Sequence, residues 1–151
     1  RMNRFNIRVY GICLKDGCLL VSDEIRFGMK MTKMPGGGLE YGEGLEAALK
    51  REWQEELQAE IEVGDIFYVN PFLQISAFKE TDEVMGHYFW VQPISDLDVP
   101  FGEKPFEFEV EEEEAQVFRW VPLAELGPET FTFPIDQAMA RKLTAHFEKA
   151  R

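Results

Sequence analysis

The chain has 151 residues, 45% hydrophobic and 13% aromatic, with 16 basic against 28 acidic side chains and a net charge of −12. That length suits one domain, residues 1–151, able to bury roughly 68–70% of its unfolded surface, and the apolar content excludes a disordered chain. The charge argues against a nucleic-acid polymer or an anionic membrane as partner, because repulsion opposes both; a small phosphate substrate stays open if cations neutralise its site.

Arg1, ahead of Met2, reads as an extraneous addition and is set aside. Phe5, Ile7 and Val9 alternate with Asn6 and Arg8, the period-two sign of a half-buried strand running to Leu14. Asp16-Gly17 turns the chain, and Cys18 to Val21 returns as a second short strand. Cys13 and Cys18 flank that turn and would not face each other in a tight one, so both read as thiols of a reducing compartment. No apolar run reaches the length of a membrane span and the N-terminus is too polar for a signal peptide, so a cytoplasmic location is expected. Ser22 to Lys33 reads as a loop and a short strand whose cations, Arg26, Lys30 and Lys33, are ordinary surface charge rather than substrate contacts.

Pro35 and Gly36 to Gly38 read as a loop in which backbone can approach a ligand closely. It lacks GK[ST] and is not a P-loop. A helix follows from Leu45 to Gln58. At about 100° per residue, Leu45, Leu49, Trp53 and Leu57 form one apolar arc. Glu52 and Glu56 fall inside that arc and Glu55 on its edge, whereas a solvated acidic face would lie opposite the leucines. Two carboxylates about 4 Å apart repel by roughly 4 kcal/mol at an effective dielectric near 20, a cost that a hard cation such as Mg²⁺ or Mn²⁺ would remove. On angles alone, a cation site and a mere helix-favouring run of glutamates both remain open.

Beyond the helix, Glu60 to Val63, Ile66 to Val69 and Leu73 to Phe78 read as strand, interrupted at Asn70-Pro71. Val84 to Ile94 is a long aromatic strand whose His87 faces solvent or a polar neighbour. Ser95 to Glu114 is a long acidic connection. Its run of Glu107, Glu109 and Glu111 to Glu114 reads as a solvated loop beside a strand. Val117 to Val121 is strand, Pro122 to Leu126 a helical turn, and a last helix from Pro134 buries Ile135, Met139, Leu143 and Phe147. Mixed strands around one central and one terminal helix fit an α/β fold, an α/β/α sandwich with a mixed sheet.

The central stretch resembles the Nudix box, G-x5-E-x7-R-E-U-x-E-E-x-G-U with U a bulky apolar residue. Gly37, Glu43 and Arg51-Glu52-Trp53-Gln54-Glu55-Glu56 match at the right spacings. Three positions depart from it: Gln58 replaces the box glycine, Ala59 is small for a U position, and Trp53 is large for one. The resemblance implies the Nudix fold. It also implies a MutT-like pyrophosphohydrolase that cleaves a diphosphate bond in a nucleoside diphosphate linked to X: a nucleoside triphosphate, nucleotide sugar, ADP-ribose or dinucleotide. It implies Mg²⁺ (or Mn²⁺) held by Glu52, Glu55, Glu56 and the Gly36 carbonyl, and an Arg51–Glu43 ion pair bracing loop against helix. Glu52 is the implied general base. Glu114 is the loop alternative, because its offset from Trp120 is similar to that of an extra metal-site glutamate in the family. A small nucleotide-type substrate is the expected partner, and a homodimer stays open. The rival readings are a Nudix-fold nucleotide-binding module without turnover and an acidic metal-binding scaffold. An isomerase of prenyl diphosphates would need a catalytic cysteine, which neither Cys13 nor Cys18 obviously supplies.

Overall fold

The computed structural model describes residues 2–149, so Arg1 lies outside the described residues. The chain divides into two compact units: residues up to Cys13 with Pro35–Asp98, and Leu14–Met34 with the residues from Val99 onward. The first is a four-stranded mixed sheet with one helix. β1 (Arg4–Ile12) runs antiparallel to β5 (Gly36–Gly38) on one side and parallel to β7 (Asp82–Pro93) on the other; β6 (Ile61–Val69) pairs antiparallel with β7 at the edge. Helix α1 (Leu45–Leu57) lies against β1, β5 and β6.

The second unit is a five-stranded mixed sheet. β3 (Cys18–Arg26) pairs antiparallel with β2 (Leu14–Lys15), β4 (Met29–Lys33) and β9 (Gln116–Pro122), while β8 (Phe101–Gly102) runs parallel to β9. Two 3₁₀ turns (Leu123–Glu125 and Pro128–Thr130) lead to α2 (Pro134–Lys149), which buries Ile135, Met139 and Leu143 and leaves Phe147 half-buried. The mixed α/β class expected from the sequence is therefore observed, its strands divided between two mixed sheets. No described helix is long and apolar enough to cross a membrane, and neither cysteine is in a disulfide.

Four local readings need correction. The alternation in β1 does not set its burial: Phe5 is 67% exposed, whereas Val9, Tyr10 and Ile12 are all buried, because successive side chains point to opposite faces and both faces of that half are covered. Ser22 to Arg26 is strand, with Ser22, Asp23 and Glu24 fully buried and hydrogen-bonded. Leu73 to Phe78 keeps only an isolated bridge, Ile75 opposite Glu83. There the Asn70 side chain donates to the Phe72 and Val84 carbonyls (3.0 and 3.1 Å) and accepts from the Gly86 amide (2.8 Å). It thereby takes up backbone groups of β7 and diverts the chain. The glycine run is itself a strand, β5, with Tyr10 opposite Gly36 and Arg8 opposite Gly38. Glycine is required there by crowding: a Cβ on Gly36 would lie 2.0 Å from the Val9 carbonyl oxygen, and φ at Gly36 is +149°.

Candidate catalytic site

α1 forms where the sequence places it. Leu49, Trp53 and Leu57 are fully buried, each worth about 1.5–3 kcal/mol of transfer free energy. Leu45 is half-buried, as are Glu52 and Glu56, while Glu55 is exposed. The bulky Trp53 is accommodated by Gly11, where a Cβ would come within 2.8 Å of the indole. Among the described residues its buried Nε1–H has no hydrogen-bond acceptor. The helix ends without the box glycine: Gln58 itself adopts the left-handed conformation (φ 50°, ψ 39°). Its amide donates to the Gln54 carbonyl at 3.1 Å and its side-chain Nε2 to the Glu55 carbonyl at 3.0 Å, so two end carbonyls are satisfied at the cost of left-handed backbone.

Arg51 organises the start of the site. Its Nε donates to Glu43 Oε2 at 3.0 Å, and Nη2 donates to Glu43 Oε1 at 2.5 Å and to the Gly38 carbonyl at 2.9 Å. The ion pair expected between Arg51 and Glu43 is thus present and also clamps β5. Nη1 turns the other way, to Glu52 Oε1 at 2.9 Å and Glu55 Oε2 at 3.4 Å, with Glu40 Oε1 at 3.7 Å. Charge-assisted bonds of this kind are among the stronger polar contacts. The bond to Arg51 and the one from the Glu40 amide hold the Glu43 carboxyl below the usual glutamate range, and Glu43 in turn raises the Arg51 guanidinium. Sequence reading missed the contacts from Nη1 to Glu52 and Glu55, although Arg51 and Glu55 are i, i+4 neighbours.

The Glu52 carboxylate lies directly over Gly37: a Cβ built there would be 2.4 Å from its Cδ and 2.5 Å from each oxygen. Gly36, whose carbonyl is the expected fourth ligand, begins the same strand. These donors are hard carboxylate and carbonyl oxygens, the set that suits Mg²⁺ or Mn²⁺, and the missing Cβ at Gly37 leaves room for one of them. Among the described residues no three acidic, histidine or cysteine side chains are already gathered around one point as a metal site.

The second unit holds Glu114, whose side chain is exposed and whose backbone is left-handed (φ 67°), its amide donating to the Ile25 carbonyl at 3.0 Å. The acidic run around it is not simply solvated. Glu113 accepts from the Phe27 and Gly28 amides at the β3–β4 turn, the latter at 2.9 Å. Glu111 pairs with Lys30, and Glu107 accepts from the Glu103 and Lys104 amides at 2.7 and 2.6 Å. The three cations read as surface charge are all ion-paired. Arg26 and Lys33 lie 3.3 and 3.5 Å from the buried Glu24, and the Lys33 side chain is only 12% exposed.

Burial pushes the Glu24 carboxyl up, but Lys33, the Ser22 hydroxyl and Arg26 together hold it below the usual range. On the next residue, Asp23 receives a two-pronged bond from Arg119 (2.9 and 3.0 Å) and the Thr32 hydroxyl at 2.6 Å. The signal for this network was a polar triplet, Ser22-Asp23-Glu24, inside an otherwise apolar strand. It is found only by pairing that strand with Lys33 and Arg119.

The NUDIX domain profile matches residues 2–143. Among solved structures, a NUDIX hydrolase from Nitrosomonas europaea is similar at TM-score 0.70 and 19% identity, over 95% of this chain and 90% of that one. The MutT protein from Methanosarcina mazei Go1 is similar at TM-score 0.70 and 18% identity, over 97% of each chain. An ADP-ribose pyrophosphatase from Streptococcus suis 89-1591 is similar at TM-score 0.59 and 12% identity, over 97% of this chain and 92% of that one. No curated protein matches by sequence.

Proposed function

The chain belongs to the NUDIX family of hydrolases, which generally use divalent metals, and from that premise we propose that it hydrolyses a diphosphate bond in a nucleoside diphosphate linked to a further group. The observation that carries this reading is the intact run Arg51-Glu52-Trp53-Gln54-Glu55-Glu56 on α1. It is braced by Glu43 and Gly38, and its first glutamate is seated over Gly37. Glu52, Glu55, Glu56 and the Gly36 carbonyl are the groups that would hold Mg²⁺ or Mn²⁺. Such an ion, when bound, neutralises diphosphate oxygens and lowers the pKa of an attacking water.

The chain's own residues supply the rest. Glu52, seated over the floor at Gly37, accepts a proton from the water at a carboxylate oxygen. Glu43 and Gly38 hold the Nε and Nη2 edge of Arg51, so the helix and β5 keep one register. Glu114 is retained as the alternative proton acceptor on its offset from Trp120 alone. The substrate class is a small nucleotide-type molecule. Its members are distinguished by a screen of hydrolysis with and without Mg²⁺ over nucleoside triphosphates, nucleotide sugars, ADP-ribose, dinucleotides and dinucleoside polyphosphates. Turnover of at least one, lost in Glu52→Gln and Glu56→Gln, is the expected result. No turnover of any with metal present would leave a binding module.

A further inference from the structure

A guanidinium has five N–H bonds, and in Arg51 all five have acceptors. Three face the loop: Nε–H and one Nη2–H go to Glu43, and the other Nη2–H goes to the Gly38 carbonyl. The remaining two, both on Nη1, go to Glu52 and Glu55. The same residue therefore has one edge buried in the brace and one edge on two of the glutamates that would hold a cation.

We propose that Arg51 is a built-in counter-ion that occupies Glu52 and Glu55 when the site carries no metal, and that metal loading exchanges its Nη1 edge for the divalent ion while its Nε and Nη2 edge stays on Glu43 and Gly38. The proposal rests on reading Glu52, Glu55 and Glu56 as the metal ligands. Without such a cation, carboxylates on adjacent turns of one helix face would repel across a partly dry surface. With it, the metal-free protein stays folded with Glu52 and Glu55 turned to Nη1. The two contacts are unequal. The Glu55 side chain is 57% exposed and lies at 3.4 Å, whereas that of Glu52 is 15% exposed and lies at 2.9 Å, so Glu55 is released first.

Two measurements test the exchange, neither of them activity. In wild-type protein, nitrogen-resolved NMR of the Arg51 side chain during Mg²⁺ titration should show the Nη1 signal shifting and its protons exchanging faster with water. The Nε signal should stay in place. Both signals unmoved at saturating Mg²⁺ overturns the proposal. In calorimetry, Arg51→Gln should bind Mg²⁺ about tenfold more tightly than Lys50→Gln, within the usual range of coupling between two linked binding events. Lys50→Gln removes the same charge from an exposed position next door, so it corrects for the general field. Equal or weaker binding by Arg51→Gln also overturns the exchange. A wild-type Mg²⁺ affinity that survives the Glu52→Gln/Glu56→Gln double variant sinks the metal-site reading itself, a different failure.

Discussion

Adding one methyl group at Gly37 should separate folding from chemistry. An alanine Cβ there would lie 2.4 Å from Glu52 Cδ, against a normal carbon–carbon contact of about 3.5–4.0 Å. The carboxylate must then retreat by more than about 1 Å, a displacement that can cost about 10²-fold when it moves a reacting group. At about 1.36 kcal/mol per factor of ten, that raises the barrier by about 2.7 kcal/mol. Stability should hardly change, because what moves is the flexible end of a half-buried side chain and the φ at Gly37 is one that alanine adopts. Gly36→Ala is the contrast: its Cβ would strike the Val9 carbonyl at 2.0 Å, in backbone that neither strand of the ladder can yield. That variant should lose at least about 3 kcal/mol of stability, a large share of the roughly 5–15 kcal/mol of an ordinary domain. The assay is thermal unfolding together with kcat on whichever substrate the screen identifies. A Gly37→Ala enzyme that folds and turns over at the wild-type rate would refute the claim that the seat of Glu52 sets the reaction.

Glu52→Gln and Glu56→Gln should each lower kcat by at least about 10²-fold while folding is retained. The wild-type melting temperature should rise with Mg²⁺, by the equivalent of about 2.7 kcal/mol at one hundred times Kd, and the rise should vanish in the double variant. In the acidic run, Glu113→Ala should cost about 0.5–1.5 kcal/mol of stability, because the two turn amides it releases are exposed and take up water, without a change in kcat. Glu114→Ala should lower kcat more than alanine at Glu111, Glu112 or Glu113; if none of the four alters kcat, the proton acceptor belongs to α1. Glu24, Glu43, Asp82 and Glu107 all titrate below their ordinary ranges in the folded chain, so the unfolded chain binds more protons in acid. Their stabilisation is complete above the ordinary carboxylate range and is lost as pH falls through the lowered values. Denaturant titrations at stepped pH should show that slope, and Glu24→Gln should flatten it.

Much of α1 could be read from the sequence because its signals are local. The leucine and tryptophan spacing marked the buried face, and the glutamates on that face left a cation site and a helix-favouring run both open until the box resemblance decided between them. The Arg51–Glu43 pair followed from the resemblance. The contacts of Nη1 did not, because they depend on side-chain direction within one turn of helix. What failed was long-range. β3 looked polar because its acidic residues are neutralised by Lys33 and by Arg119, nearly one hundred positions away. β5 looked like a loop because glycine has weak strand preference, and only the closeness of Val9 and Glu52 makes glycine the residue that fits. Leu73 to Phe78 has strand composition but meets β7 only in a bridge at Ile75, because the Asn70 side chain takes up the Val84 carbonyl and the Gly86 amide. The left-handed stop at Gln58 was hidden for a similar reason, since its compensation comes from its own side-chain amide.

Trp53 stands next to Glu52 in the chain and is fully buried, while Trp90 and Trp120 are half-buried. An indole shielded from water emits at shorter wavelength than one that touches it, so the residue that anchors the helix is also a natural dye. With Trp90 and Trp120 replaced by phenylalanine, fluorescence would come from a single emitter one peptide bond away from the proposed base. Unseating of α1, whether by heat, acid or crowding at Gly11, would then be visible as a red shift in a protein that carries no added label.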